Sequence, residues 1–340
     1  MSRTELGLCV VGAGRMGEGI ALAFAHAGLP VSLIDLKPRD ACTQASYFDN
    51  NQRSLGAQAE MLVTLGLLTA EQAERLLARI RLLPLQEALQ ALESSRLVFE
   101  AVPEMLQAKR DALGLIDRYV APDAIIASTT STFLVTDLAA MVSGPQRLLN
   151  AHWLNPANLM PLVEISRSEQ TSEAVVEELR AILHAVGKVT VVCNAVAGYI
   201  VPRIQALAMN EAARMVEEGV ASAEHIDLAV RTGFGLRFSV LGLLEFIDWG
   251  GGDILYHASE YLSANLGERF QAPQSVVENM HAGRNGLRDG VGFYDYRTLD
   301  VEAYRHARLD GFVQQLQRAG LAPVFDAAAG GVKAPATVSS

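Results

Sequence analysis

Near the amino terminus the residues Gly12-Ala13-Gly14-Arg15-Met16-Gly17 carry the spacing GxGxxG, and Asp35 follows eighteen residues after the last glycine. Each part has a separate physical task. Leu8 to Val11 read as a short buried strand, and Gly12 makes the tight turn off it. Gly14 has no side chain, so a pyrophosphate can reach the amides that open the next helix at Arg15 and Met16. Gly17 lets that helix lie close to the strand. Ile20, Leu22, Phe24 and Ala27 carry the helix to a stop at Gly28, and Val31 to Ile34 form a second strand ending on Asp35. A carboxylate there takes both hydroxyls of an adenosine ribose and repels a 2′-phosphate, so the pattern predicts NAD as cofactor. Lys37 and Arg39, just past the acid, are the features that favour NADP. A glycine-rich turn alone is common; strand, turn, helix, strand and acid in this order over about thirty residues is far more specific.

A second constellation lies further on, in Asn150-Ala151-His152-Trp153-Leu154-Asn155-Pro156 and Pro161-Leu162-Val163-Glu164. It falls at a strand's carboxyl end, the edge where open α/β sheets hold ligands. Hydride transfer from a secondary alcohol needs a base that titrates near neutrality, and imidazole meets that need. Glu164 on the following strand could hold the other ring nitrogen of His152. Asn155 and Ser131 could position the substrate oxygen. Glu104 and Lys109 fall just after another strand end, on the nicotinamide side. Each residue has a plainer reading: a satisfied core histidine, a surface carboxylate, a helix cap at Ser131, a solvated Glu–Lys helix pair. Joint placement after a nucleotide fingerprint favours catalysis for His152 and Glu164.

The elements that must carry these residues alternate. Strands at Arg96–Val102, Ala124–Ala127, Arg147–Ala151 and Val189–Cys193 are separated by helical patterns, one of them the 3.6-period run Val175, Val176, Leu179, Ile182, Leu183 and Val186. Such alternation specifies an α/β domain with a doubly wound, mostly parallel Rossmann-type sheet over residues 1–194, with a mostly helical excursion at about 40–95. Glu71–Ile80 read there as an amphipathic helix with Thr69 as its cap. After Asn194 the strand pattern stops, and 195–325 read as an all-α domain; the small-residue segment 326–340 reads as a disordered tail. The 340 residues carry a net charge of −10, which argues against nucleic-acid and anionic-membrane surfaces. Charged or polar residues interrupt every apolar run short of a membrane span, and no signal pattern opens the chain. Cys9, Cys42 and Cys193 show no metal spacing and read as reduced thiols, so a cytoplasmic protein with no metal is expected.

The chain resembles the L-3-hydroxyacyl-CoA dehydrogenases over roughly residues 6–297. The resemblance rests on the glycine turn, Phe99-Glu100-Ala101-Val102-Pro103-Glu104 with Lys109, Ser128-Thr129-Thr130-Ser131, His152 to Pro156, Pro161 to Glu164, Ala197 to Arg203, and Gly290 to Tyr296. It implies His152 as general base paired with Glu164, Ser131 as a substrate contact, and cofactor contacts at Ala101, Val102, Glu104 and Lys109. It also implies a helical second domain that forms a homodimer, and a small-molecule 3-hydroxyacyl thioester as substrate. Two departures stand out. The family's Gly-Phe-Ile-Val-Asn-Arg is here Gly198-Tyr199-Ile200-Val201-Pro202-Arg203, and proline has neither the amide side chain nor a backbone N–H. The helical excursion holds no Lys or Arg between Arg53 and Arg75, where relatives bind coenzyme A phosphates with cations. A dehydrogenase of a free 3-hydroxy acid, using Arg203, Arg231 or Arg237, is therefore the alternative, and a catalytically silent NAD-binding protein is a third reading.

Overall fold

A computed structural model describes residues 6–323, so the tail expected at 326–340 lies outside the described residues. The chain divides after Met209 into two compact units. The first holds strands β1 (Leu8–Val11), β2 (Val31–Ile34), β3 (Ile80–Leu83), β4 (Leu97–Glu100), β5 (Ile125–Ser128), β6 (Leu148–Trp153), β7 (Leu162–Arg167) and β8 (Val189–Asn194). They form one sheet in the order β3-β2-β1-β4-β5-β6-β7-β8. Every neighbouring pair is parallel except β6 with β7. This is the doubly wound, mostly parallel sheet that the alternation specified. The chain crosses from unit to unit later than the end of β8, because Tyr199, Ile200 and Val201 hydrogen-bond back to Thr130 and Glu164 of the first unit.

Period-2 alternation decides which side chains reach the site. Val10, Phe99, Ala127, Ala151 and Trp153 share one sheet face with Ile20 and Phe24 of α1 (Arg15–His26). Cys9, Val11, Val98, Ile126 and Leu148 share the other with Leu113 and Ile116 of α5 (Leu106–Tyr119). Continued to the strands' last residues, the second face places Glu100, Ser128, Asn150, His152 and Glu164 on one side, all buried. The register sets Glu100 beside Ser128, Ser128 beside Asn150, and His152 directly across from Glu164. A polar row thus ends an otherwise apolar face.

The excursion corrects the sequence reading. It contains α2 (Ala41–Thr64), α3 (Ala70–Leu77) and α4 (Leu85–Glu93), but Ile80–Leu83 is an edge strand paired with β2 rather than the end of a helix. Thr69 does cap α3, in a reciprocal capping box with Gln72. A buried carboxylate on α1, Glu18, holds α2 through Asn51, Ser54 and Gln58. Of the cysteines, Cys9 is buried, Cys193 half-buried and Cys42 exposed; all are free.

The first unit also holds α6 (Val135–Ala139) and α7 (Glu173–Ala185); the second is helical, with α8 (Val201–Glu217) entering it, then α9 (Ala223–Ala229), α10 (Gly235–Phe238), α11 (Leu243–Gly250), α12 (Gly252–Leu266), α13 (Gln274–His281) and α14 (Val301–Arg318). Between α13 and α14, where the sequence predicts helix, the chain is instead a folded loop pinned on buried Asp248. That carboxylate accepts from the Phe293 and Tyr294 amides and the Tyr296 hydroxyl. Among the described residues no helix is long and apolar enough to cross a membrane.

Candidate active site

The glycine turn has the geometry its sequence implies. Gly12 takes φ +109, and a Cβ there would meet the Ala101 carbonyl oxygen at 2.5 Å, so only glycine fits. A Cβ on Gly17 would lie 1.9 Å from the Gly12 oxygen, whereas one on Gly14 would meet nothing within 4 Å. Gly14 caps α1 without a side-chain hydrogen bond, and Arg15 beside it is exposed. Open space therefore faces the first-turn amides, which suits a pyrophosphate. Met16, Ala101 and Val102 are half-buried around this turn. Asp35, directly after β2, is buried, its carboxylate bonded by Arg39, whose guanidinium stacks 3.9 Å from the centre of the Tyr47 ring. The Tyr47 hydroxyl donates to the Ala13 carbonyl at 3.1 Å, tying this cluster to the glycine turn.

His152 and Glu164 meet because β6 and β7 run antiparallel and the two residues face each other. His152 Nδ1 lies 2.9 Å from Glu164 Oε2. Glu164 Oε1 accepts from the Ile200 and Val201 amides, both at 2.9 Å, at the start of α8. Burial pushes the Glu164 carboxyl up. The His152 ring and the two amides outweigh that and hold it below its ordinary value. Because the folded value is the lower one, the stability Glu164 contributes is complete above the ordinary glutamate pKa and is lost as pH falls through the folded value. We expect urea midpoints to decline on the acid side of about pH 4.3, and to decline less steeply in Glu164→Gln. Equal slopes in the two proteins would contradict this account.

Ser131 sits on an exposed turn held by a second carboxylate. Glu104 Oε1 accepts from the amides of Ser131 at 3.0 Å and Thr132 at 2.9 Å, and from the hydroxyls of Thr130 and Thr132. These bonds outweigh partial burial and, with Lys109, hold the Glu104 carboxyl below its ordinary value. Lys109 has no exposed surface. Its ammonium contacts both Glu100 oxygens, at 3.1 and 3.2 Å, and Glu104 Oε2 at 3.2 Å. Glu100 in turn accepts from the Ser128 hydroxyl and the Val102 amide. The structure therefore brings His152 to Glu164, and Ser131 to Glu104, whose other oxygen Lys109 holds. Asn155 is exposed beyond β6 and makes no hydrogen bond among the described residues.

The sequence reading missed four contributors. Glu100, Ser128 and Asn150 are polar residues ending apolar strands, a signal visible in Val98-Phe99-Glu100, Ile126-Ala127-Ser128 and Leu148-Leu149-Asn150. Tyr199 stacks on His152, its ring centre 4.7 Å from the imidazole and 14° from parallel.

A doubly wound sheet with an open glycine turn and an acid-ended second strand defines a dinucleotide-dependent oxidoreductase. Family models agree: 3-hydroxyacyl-CoA dehydrogenase, NAD binding domain, matches residues 7–196, and the C-terminal domain of the same family matches 198–296. The chain belongs to the 3-hydroxyacyl-CoA dehydrogenase family and is an NAD-dependent oxidoreductase. It is 33% identical over 290 residues to a probable 3-hydroxybutyryl-CoA dehydrogenase of Bacillus subtilis, covering 85% of this chain and 96% of that protein. It is 29% identical over 302 residues to a 5-formyl-3-hydroxy-2-methylpyridine 4-carboxylate 5-dehydrogenase of Mesorhizobium japonicum, covering 88% and 94%. The crystal structure of a 3-hydroxyacyl-CoA dehydrogenase from Archaeoglobus fulgidus superposes with a TM-score of 0.72 at 32% identity, covering 92% of this chain and 99% of that one.

Proposed function

We propose that this protein oxidises the secondary alcohol of a short-chain L-3-hydroxyacyl-CoA to the 3-oxoacyl-CoA, with His152 as general base. The observation that carries the reading is the His152–Glu164 contact with Glu164 itself fixed by two amides. Glu164 accepts from Nδ1–H, which sets the tautomer and leaves Nε2 to take the hydroxyl proton. The carboxylate then stabilises the imidazolium. Ser131 holds the substrate oxygen, with Asn155 beside it. NAD, when bound, supplies the hydride acceptor; Gly12, Gly14, Arg15, Met16 and Gly17 hold its pyrophosphate, Asp35 its ribose, and Ala101, Val102 and Glu104 border its nicotinamide end. Lys109 serves this end through Glu104, since it is fully buried. A homodimer in the cytoplasm goes with this reading: the second unit leaves Val220, Ile254, Tyr261 and Leu309 more than half exposed, an apolar surface that a second copy would cover.

One observation favours a free 3-hydroxy acid instead. The excursion exposes Met61, Leu65 and Leu67 where cations would meet coenzyme A phosphates, and Arg53 is bonded to Asp49 and Asn50 of its own helix. Arg203, Arg231 and Arg237 are all exposed and of the right chemistry for a carboxylate. NADH consumption with acetoacetyl-CoA, a truncated acetoacetyl thioester and acetoacetate separates the two. Coenzyme A recognition predicts at least a tenfold kcat/KM advantage for acetoacetyl-CoA, about the 1.4 kcal/mol of one well-made contact. Comparable values for the two thioesters would move the assignment to the free acid.

A further inference from the structure

The segment that leaves β8 for α8 touches Glu164, His152 and the turn that carries Ser131. Ile200 and Val201 give their amides to Glu164. Tyr199, one residue earlier, is buried and stacks on the His152 ring. Its hydroxyl donates to the Thr130 carbonyl at 2.7 Å, the residue next to Ser131. The same hydroxyl accepts from Asn150 Nδ2 at 3.1 Å, and that amide also donates to the Phe133 carbonyl at 3.0 Å, on the far side of Ser131. The Ser131 turn is thus fastened on both flanks to β6, the strand that carries His152. Tyr199 is also the one non-glycine residue with a left-handed backbone among the described residues, at φ +47 following Gly198 at +81. That conformation costs about 1–2 kcal/mol and persists only where the surroundings dictate it. Here what dictates it is the ring's place against the imidazole and the hydroxyl's place under the turn. Burial lifts the phenol above its ordinary range, with the Asn150 bond pulling the other way, so the hydroxyl stays protonated and remains a donor.

The geometry assigns Tyr199 as a positioning residue that fixes the Ser131 turn relative to the His152 ring, its hydroxyl carrying the coupling to Ser131 and its ring the coupling to His152. This rests on the reading of His152 as base. Tyr199→Phe keeps the ring and removes only the hydroxyl. We expect kcat to fall roughly tenfold, as for a slight misplacement of a reacting group, with KM, NADH affinity and melting temperature within about twofold or a few degrees of wild type. In a Ser131→Ala background the same substitution should cost less than about twofold, because the group it positions is gone. Tyr199→Leu, which also removes the stack, should lower kcat further in both backgrounds. Wild-type kcat in Tyr199→Phe, or an equal loss with and without Ser131, overturns the assignment. A fully active His152→Gln enzyme would instead overturn the base on which it rests, so the two failures are distinguishable.

Discussion

His152→Gln will lower kcat by about 10²–10⁴ while leaving NADH affinity within about twofold. Glutamine keeps a side chain of similar reach that can still hydrogen-bond Glu164, so the buried carboxylate is not stranded. It cannot accept a proton at the position Nε2 occupies. The residues that would hold the pyrophosphate and adenosine ribose of NAD are separate: the glycine turn and Asp35 lie at β1, α1 and β2, three to four strands from His152 in the sheet order. A fluorescence titration of NADH against the variant checks that side, and single-turnover oxidation checks the chemistry. Glu164→Gln should lose less turnover than His152→Gln, because the imidazole survives but loses its fixed tautomer and the charge that stabilises its protonated form. Turnover in His152→Gln equal to the wild type would remove the base assignment.

What the sequence disclosed and what it hid divide by range. The β1–α1–β2 unit is local: strand, turn, helix and acid follow one another within about thirty residues, so each cause is next to its effect. The strands that end in His152 and Glu164 were also legible, because apolar runs announce them. That the two side chains face each other was not, since it depends on the single antiparallel pair in the sheet and on its register. β3 was hidden for a related reason. Ile80, Leu82 and Leu83 continue the apolar pattern of α3, and only pairing with β2 makes them a strand. Tyr199 was least legible of all. Its position depends on a left-handed backbone that a tyrosine does not adopt of its own accord. The sequence reads Lys109 as a cofactor contact beside Glu104, with a solvated helix pair as its plainer reading, and could not disclose that its main partner in the fold is Glu100, at the end of a strand.

That buried pair leads to the largest expected effect on stability. Lys109→Met fills a similar volume but leaves Glu100 fully buried without its cation, with only the Ser128 hydroxyl and the Val102 amide still bonded to it. Removing one partner of a buried ion pair costs about 3–5 kcal/mol, since the remaining charge loses both water and counter-ion. The expected result is a lower urea midpoint with an unchanged slope. Glu104 loses its cation too, but it is partly exposed and keeps four donors from residues 130–132, so its share of the loss is small. The stranded charge rather than the missing lysine causes the loss, and that distinction can be tested. Glu100→Gln added to Lys109→Met removes the charge, keeps a carbonyl oxygen for the Val102 amide and turns its NH2 to the Ser128 hydroxyl, which can accept, so the double variant should recover at least half of the lost stability. A Lys109→Met protein within about 1 kcal/mol of wild type, or a double variant no better than the single, would mean that water or a local shift reaches Glu100 and that the pair is not the closed core the structure shows.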